Sequence, residues 1–423
     1  MRSLMKKMLV MLLALMVLVT FAGCGGGAAE NGNGAAEDRE LTIFHYHVGV
    51  ADQMEKIGNE FMAETGINIV TEMYASDHAT VLMSKDAAGN LPDIFDTGAY
   101  EEETLKGYYE SGKIQPVQDL DVFGLLDPDY VESLRSEDGN IYLVPRASQP
   151  IGVIYNENLF EQAGISSVPT TFSELMDAVD QLNAAGITPF GVGGADAWTL
   201  GTPIWTPAVE MFADSQTPAG LTSGDMSYGD LAEPVMDLFD LILENSNDRP
   251  LENDYANMSA MLATEQVAMI LMGNWIMGDI IELNPELERM AGMFPIPVSE
   301  NAEDNMIILN DTFFLVNAEA DFDAVNQYFN FMYMEGRGKE ILMEEMQEIN
   351  AYGVEFDSHR VNEDAMDFIA AGQAKLNYVN INKPAGFWQY EGPILQDYVG
   401  GRISRAEVFE QMDNAWRDMA GTN

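Results

Sequence analysis

The sequence predicts an α/β protein of two lobes. Three observations carry this. Short β-rich segments alternate with helical repeats from residue 41 onward, and glycines follow the helices. The 423-residue chain is 47% hydrophobic, with 28 Met and 20 Phe, enough for a large core and for two or three domain-sized units. Repeats of fixed period, the mark of solenoids and propellers, are not visible.

The elements follow in chain order. Leu41–Tyr46 is short and β-rich. Ala51–Thr65 places Met54, Ile57, Phe61 and Met62 at helical spacing and stops at Gly66. Ile67, Ile69, Thr71 and Met73 alternate, as in a strand with one buried face. Asp77–Ala88 reads as a helix ended by Gly89, and Ile94-Phe95 as a short strand after Pro92-Asp93. This βαβαβ run predicts a mainly parallel sheet with helices on both faces. A hairpin is expected next, with a turn at Ser136–Asn140 and strand-like segments at Ile141–Pro145 and Ile151–Tyr155. Thr171 and Glu174 fit a capping box that starts the helix Phe172–Ala185, ended by Gly186. Ile187–Val192 reads as a strand. Further helices are expected at Leu231–Asn245, Asn257–Thr264 and Met277–Leu283. Phe313–Val316 reads as a strand after the turn Phe294–Pro297, and the last hundred residues as mostly helical.

The N-terminus has its own logic. Arg2, Lys6 and Lys7 precede an uncharged apolar run, Met8 to Ala22. The run is too short to span a hydrocarbon layer about 30 Å thick, so it reads as an export signal. Phe21-Ala22-Gly23-Cys24 resembles the lipobox of bacterial lipoproteins, in which the cysteine carries diacylglycerol and becomes the mature N-terminus. The alternative is a plain signal peptide followed by a buried cysteine. Cys24 is the only cysteine, so no intramolecular disulfide staples the fold. Residues 25–40 hold no large apolar side chain and predict a flexible tether.

The charge is extreme: 69 acidic against 20 basic residues, net −49. Three of the bases lie in the predicted signal, so the mature chain is more negative still. Nonspecific nucleic-acid binding is excluded, and an anionic membrane surface is repulsive. The acids are scattered except for Glu101-Glu102-Glu103, as on a solvated surface suited to a salty or alkaline habitat.

No nucleotide-binding or hydrolase signature is present. Gly191-Val192-Gly193 is followed by Gly194-Ala195-Asp196, and Gly336-Arg337-Gly338-Lys339 lacks the rest of a P-loop. His45 and His47, two apart on a strand, either bind a metal or line a cleft as strand-end polar groups. No metal, cofactor or catalytic residue is assigned. What stands out is aromatic and polar residues at strand ends and in loops: His45-Tyr46-His47, then Asp96, Thr97 and Tyr100, then Trp198, Trp205, Trp275, Phe387 and Trp388. Sugars offer CH faces to aromatic rings and hydroxyls to polar groups, and open α/β sheets bind ligands beyond strand carboxyl ends. Core packing is the alternative for any single Trp.

Several motifs in this order carry a resemblance. They are Leu41–Phe61, Leu91-Pro92-Asp93-Ile94-Phe95, Ile154-Tyr155-Asn156-Glu157-Asn158-Leu159-Phe160, Val168-Pro169-Thr170-Thr171-Phe172-Ser173-Glu174-Leu175, and Ala268-Met269 followed by Gly273-Asn274-Trp275. The chain resembles the extracellular solute-binding proteins of ABC importers, the group that includes maltose- and other sugar-binding proteins. The resemblance implies a two-lobed periplasmic-binding-protein fold of type II character, each lobe a mainly parallel sheet flanked by helices. It implies crossovers near Arg146–Gly152, Pro297–Asn310 and Asn350. The first lobe would take 41–148 plus about 308–348, and the second about 152–304 plus 352–423. Cleft residues would be His45, His47, Asp96 and Tyr100 from the first lobe, Gln149 at the hinge, and Trp198, Trp275 and Trp388 from the second, with Asp311 a further candidate. The implied protein is a monomer, anchored by lipid at Cys24 outside the cell membrane, that captures a mono- or oligosaccharide for an ABC importer permease. Two other readings remain open: a polyamine- or peptide-binding protein, and an anchored glycoside hydrolase or lyase.

Overall fold

A computed structural model describes residues 39–421, apart from 46–49, 75–77, 100–101, 215, 335, 347–348, 353–357, 378–382 and 385. The predicted signal, Cys24 and most of the tether therefore lie outside the described residues.

The α/β class holds, built on one mixed sheet of nine strands: β1 (Glu40–His45), β2 (Asn68–Met73), β3 (Ile94–Ala99), β4 (Val144–Asn156), β5 (Thr188–Phe190), β6 (Val267–Gly273), β7 (Ala291–Phe294), β8 (Ile307–Val316) and β9 (Ala374–Leu376). Their order is β2-β1-β3-β8-β4-β6-β5, with β7 beside β4 and β9 beside β8. β1 (Glu40–His45) pairs in parallel with β2 (Asn68–Met73) and β3 (Ile94–Ala99), as the βαβαβ reading requires. The intervening helix Ala51–Thr65 has the predicted bounds. Gly66 closes it at φ 76°, in the left-handed region where a side chain is strained. β2 differs from expectation: none of its six residues is fully buried, because it is the edge of the sheet.

The predicted hairpin is instead one strand, β4 (Val144–Asn156), running unbroken through Arg146–Pro150. Its first part pairs antiparallel with β8 (Ile307–Val316), from Val144↔Phe314 to Ile151↔Ile308. Its last part pairs antiparallel with β6 (Val267–Gly273) and β7 (Ala291–Phe294). β8 continues the other way onto β3, with Ile94 opposite Val316. β8 and β4 thus lie side by side in mid-sheet and join its two halves. β5 (Thr188–Phe190) adds in parallel to β6, and β9 (Ala374–Leu376) to β8.

The core divides around these crossing strands. One apolar cluster joins Leu41, Ile43 and Phe44 to Phe61, Phe95, Phe314, Tyr328 and Phe329. On the other half, Val153, Tyr155, Met269 and Leu271 face one cluster with Trp205, Phe239 and Trp416. Ile154, Ile270 and Met272 face a second with Leu262, Ile280 and Val361. β6 is therefore buried on both faces, which is why its sequence is continuously apolar.

Helix ends follow local chemistry. The Thr171 side chain accepts from Glu174 N, as the capping box predicts, but the Glu174 carboxylate returns to Thr170 rather than Thr171. The helix Tyr228–Glu244 begins three residues before its predicted start, because Ser227 and Asp230 complete a reciprocal box there. No helix among the described residues is long and apolar enough to cross a membrane.

Candidate functional site

Strand carboxyl ends from both halves run toward the same stretch of the crossing strands. β1 ends at His45, and Ala99 of β3 sits opposite Thr312. From the other half, Gly273 ends β6 opposite Ile151. Between these lie the pairs Ser148↔Asp311, Gln149↔Asn310 and Pro150↔Leu309.

This stretch is polar and tightly tied. Ser148 Oγ donates to Asp311 Oδ1 at 2.6 Å, and Tyr130 OH donates to Asp311 Oδ2 at 3.4 Å. Burial raises the Asp311 carboxyl above its usual range, and those two hydrogen bonds oppose the shift. Burial, with the Asp311 charge, also raises the Tyr130 phenol. A third segment docks here: Ser148 N donates to Ile349 O at 2.7 Å, and Tyr352 OH donates to Pro145 O at 2.8 Å. Gln149 and Asn310 are 5% and 9% exposed.

His45 and Asp96, expected to line the cleft, lie 3.7 Å apart, Nδ1 to Oδ2, and are both fully buried. Burial, then the charge of Arg146, holds the His45 imidazole well below its usual value, so the ring is neutral. Arg146 Nη1 donates to Thr312 Oγ1 at 3.0 Å, which donates to Ala147 O. His45, Asp96, Arg146 and Thr312 thus form a polar underlayer rather than an exposed surface. His47 and Tyr100 lie outside the described residues. No cluster of three or more His, Cys, Asp or Glu side chains suited to a metal occurs among the described residues.

The tryptophans separate into two kinds. Trp275 sits on a short turn, Asn274–Ile276, directly after β6. Its indole folds back over Gly273, where a Cβ would lie 1.8 Å from a ring carbon. Only glycine allows that approach. Asn274 is buried and donates to Asn362 Oδ1 at 2.8 Å, fixing the turn to the helix Arg360–Ala370. Trp275 itself stays partly exposed. Trp198 is 39% exposed, its ring 5.3 Å from that of Tyr255. Burial, then the neighbouring Asp279, raises the Tyr255 phenol. Trp388 opens the helix Trp388–Val399, and its side chain is outside the described residues. Trp205 and Phe387, singled out in the sequence, are instead core. Both are fully buried, with Tyr228 stacked between them. Glycines and prolines near Trp205 suggested a loop, but the chain is helical there, with a π turn over Gly201–Trp205.

Sequence reasoning missed Tyr130 and Tyr255, which lie in no recognisable motif, and placed Arg146 and Ser148 only within a crossover, without their side-chain partners.

Two α/β halves linked by shared antiparallel strands, with strand ends and aromatic side chains at the junction, are the architecture of a two-lobed binding protein. The chain belongs to the bacterial extracellular solute-binding protein family, whose model matches residues 48–336. It is similar to the melibiose/raffinose/stachyose-binding protein MelE of Bacillus subtilis, 19% identical over 98% of this chain and 96% of the relative. In fold it is similar to a sugar transporter from Bacillus licheniformis solved with stachyose. That likeness has a TM-score of 0.73 at 20% identity, over 90% of this chain and all of that one. It is also similar to a chitin oligosaccharide binding protein, with a TM-score of 0.76 at 21% identity, over 90% and 99% of the two chains.

Proposed function

We propose that this chain is a lipid-anchored extracellular protein that captures a carbohydrate between two lobes and delivers it to an ABC importer. The observation that carries the reading is Trp275 held against Gly273, partly exposed, where β6 reaches the crossing strands. Such a ring offers a fixed face to a sugar at low entropic cost. Trp198 over Tyr255 offers a second exposed face. Among the relatives, the names cover melibiose, raffinose, stachyose and chitin oligosaccharides, which supports the carbohydrate class rather than one sugar.

In this reading the first lobe takes 41–148 plus about 308–348, and the second about 152–304 plus 352–423. Trp198, Trp275 and Trp388 contact the ligand from the second lobe, and His47 and Tyr100 from the first. Gln149 and Asp311 serve the hinge, while His45 and Asp96 support its floor. The protein binds its ligand without changing it. Contacts from both lobes favour the closed state, so ligand shifts the population toward closure.

The test is a calorimetric and thermal-shift panel of melibiose, raffinose, stachyose and chitobiose, with spermidine and a peptide mixture as competitors of another class. A true ligand at about 100 times its Kd adds about 2.7 kcal/mol of stability. It should also shrink the radius of gyration. A shift with spermidine or peptide and none with any saccharide overturns the carbohydrate reading. Cys24→Ser tests the anchor: without its lipid chains the variant should be released or be left unprocessed. Retention of a processed variant after a salt wash would disprove lipid attachment.

A further inference from the structure

Beneath the two Trp-bearing helix starts lies an ion pair taken out of water. Lys383 Nζ donates to Glu391 Oε2 at 2.9 Å and to Thr206 Oγ1 at 3.2 Å. Thr206 Oγ1 donates to Glu391 Oε1 at 3.0 Å, closing a ring of three side chains. The Lys383 and Glu391 side chains are 2% and 4% exposed. The surroundings are aromatic: Lys383 Nζ lies 5.9 Å from the Phe387 ring, and Thr206 directly follows the buried Trp205.

The three residues come from three places that must be held together. Thr206 belongs to the helical run that begins at Trp198 and includes the π turn. Glu391 lies in the first turn of the helix that begins at Trp388. Lys383 lies just ahead of that helix. The two runs also touch by backbone. A Cβ at Gly392 would lie 2.8 Å from the Ala197 Cβ, next to Trp198, and one at Gly201 would lie 3.0 Å from Glu391 Oε2. The glycines let the helices close, and the ion pair fixes where they stop. A desolvated pair resists displacement, because sliding one partner away strands the other charge in apolar surroundings.

We propose that the Lys383–Glu391–Thr206 ring is a positioning device that sets where Trp198 stands against the helix Trp388–Val399, and so the affinity for carbohydrate. The inference rests on the sugar-binding reading, and its test separates the two.

Single substitutions, Lys383→Met or Glu391→Gln, leave a buried charge without its partner and should lower the melting temperature. The double variant Lys383→Met/Glu391→Gln removes both charges, and such replacements are often neutral for stability. It should regain most of the melting temperature. It should still bind the best saccharide of the panel at least about tenfold more weakly. In protein labelled with 5-fluorotryptophan and without ligand, the ¹⁹F resonance of Trp198 should move in the double variant while that of Trp275 stays. Wild-type affinity, or an unmoved Trp198 resonance, overturns the proposal. If the wild type binds no saccharide, the sugar-binding reading fails, and the ligand-free ¹⁹F spectra alone decide whether the ring positions the Trp198 indole.

Discussion

Trp275 owes its place to its neighbours. Gly273 makes room for the indole, and Asn274 anchors the turn through Asn362. If the exposed part of the ring stacks on a sugar, Trp275→Ala should cost more than about 2 kcal/mol of binding while the fold survives. A fully core tryptophan would instead cost about 3–5 kcal/mol of stability on truncation. Melting temperature and affinity measured on the same variant distinguish these outcomes. A second residue sets a pH response. His359 caps the helix Arg360–Ala370 by accepting from Asn362 N at its Nδ1, which requires a neutral ring. Burial holds it down to about 4. The folded state therefore resists a proton that the unfolded chain accepts below about 6.5. The contribution is complete above that value and is lost as the pH falls toward 4. His359→Asn keeps a capping acceptor without the titration. The gap in stability between wild type and His359→Asn should shift against the wild type from pH 6.5 to 4. Comparing the two chains cancels the change in surface charge over that range. A gap that stays constant disproves the assignment.

At the scale of elements, the crossing strands matter most. Gly152 on β4 lies against β7, where a Cβ would sit 2.8 Å from Phe294 O and 2.9 Å from Met293 Cγ. Gly152→Ala should therefore destabilise by about 1–3 kcal/mol, read as a lower denaturant midpoint. The strands' unequal legibility has physical causes. Ala51–Thr65 and Met277–Leu283 were readable to the residue, the first from the 3.6-residue spacing of Met54, Ile57 and Phe61 before Gly66. β4 reads as two segments, Ile141–Pro145 and Ile151–Tyr155, whereas in the fold it is one strand whose pairing with β8 resumes after a register shift between Pro145 and Ala147. β6 and β7 were not read at all: a run buried on both faces has no period to betray it. The site was legible where a motif held a residue in place, as at Gly273-Asn274-Trp275. It was illegible where burial decided, as at Trp205, His45 and Asp96, since exposure depends on partners distant in the chain.

Across the whole molecule, charge is the dominant feature. With 69 acids and 20 bases, mutual repulsion opposes the compact state. Many described bases are already paired, among them Arg405, whose guanidinium reaches Glu233, Asp237 and Asp240. Those pairs are largely exposed and worth little each, so they offset only part of the repulsion. Added salt shortens the Debye length from about 10 Å at 0.1 M to about 3 Å at 1 M. The melting temperature should rise over that range of NaCl. A flat or falling curve would show that repulsion is not limiting.

The pairing of β3 with β8 also governs how the protein is made. Asn317, just past β8, donates its side chain to Leu91 O, a contact spanning 226 residues. β1, β2 and β3 emerge first from the ribosome, yet their sheet lacks its neighbour until most of the chain has followed. Contacts so distant in sequence close slowly and leave strand edges open meanwhile. Slow closure suits a polypeptide threaded outward as an extended chain, since early compaction would block its passage. A chain cut before Ile307 should then fail to yield a protease-resistant first half, even though it holds all of β1 to β4.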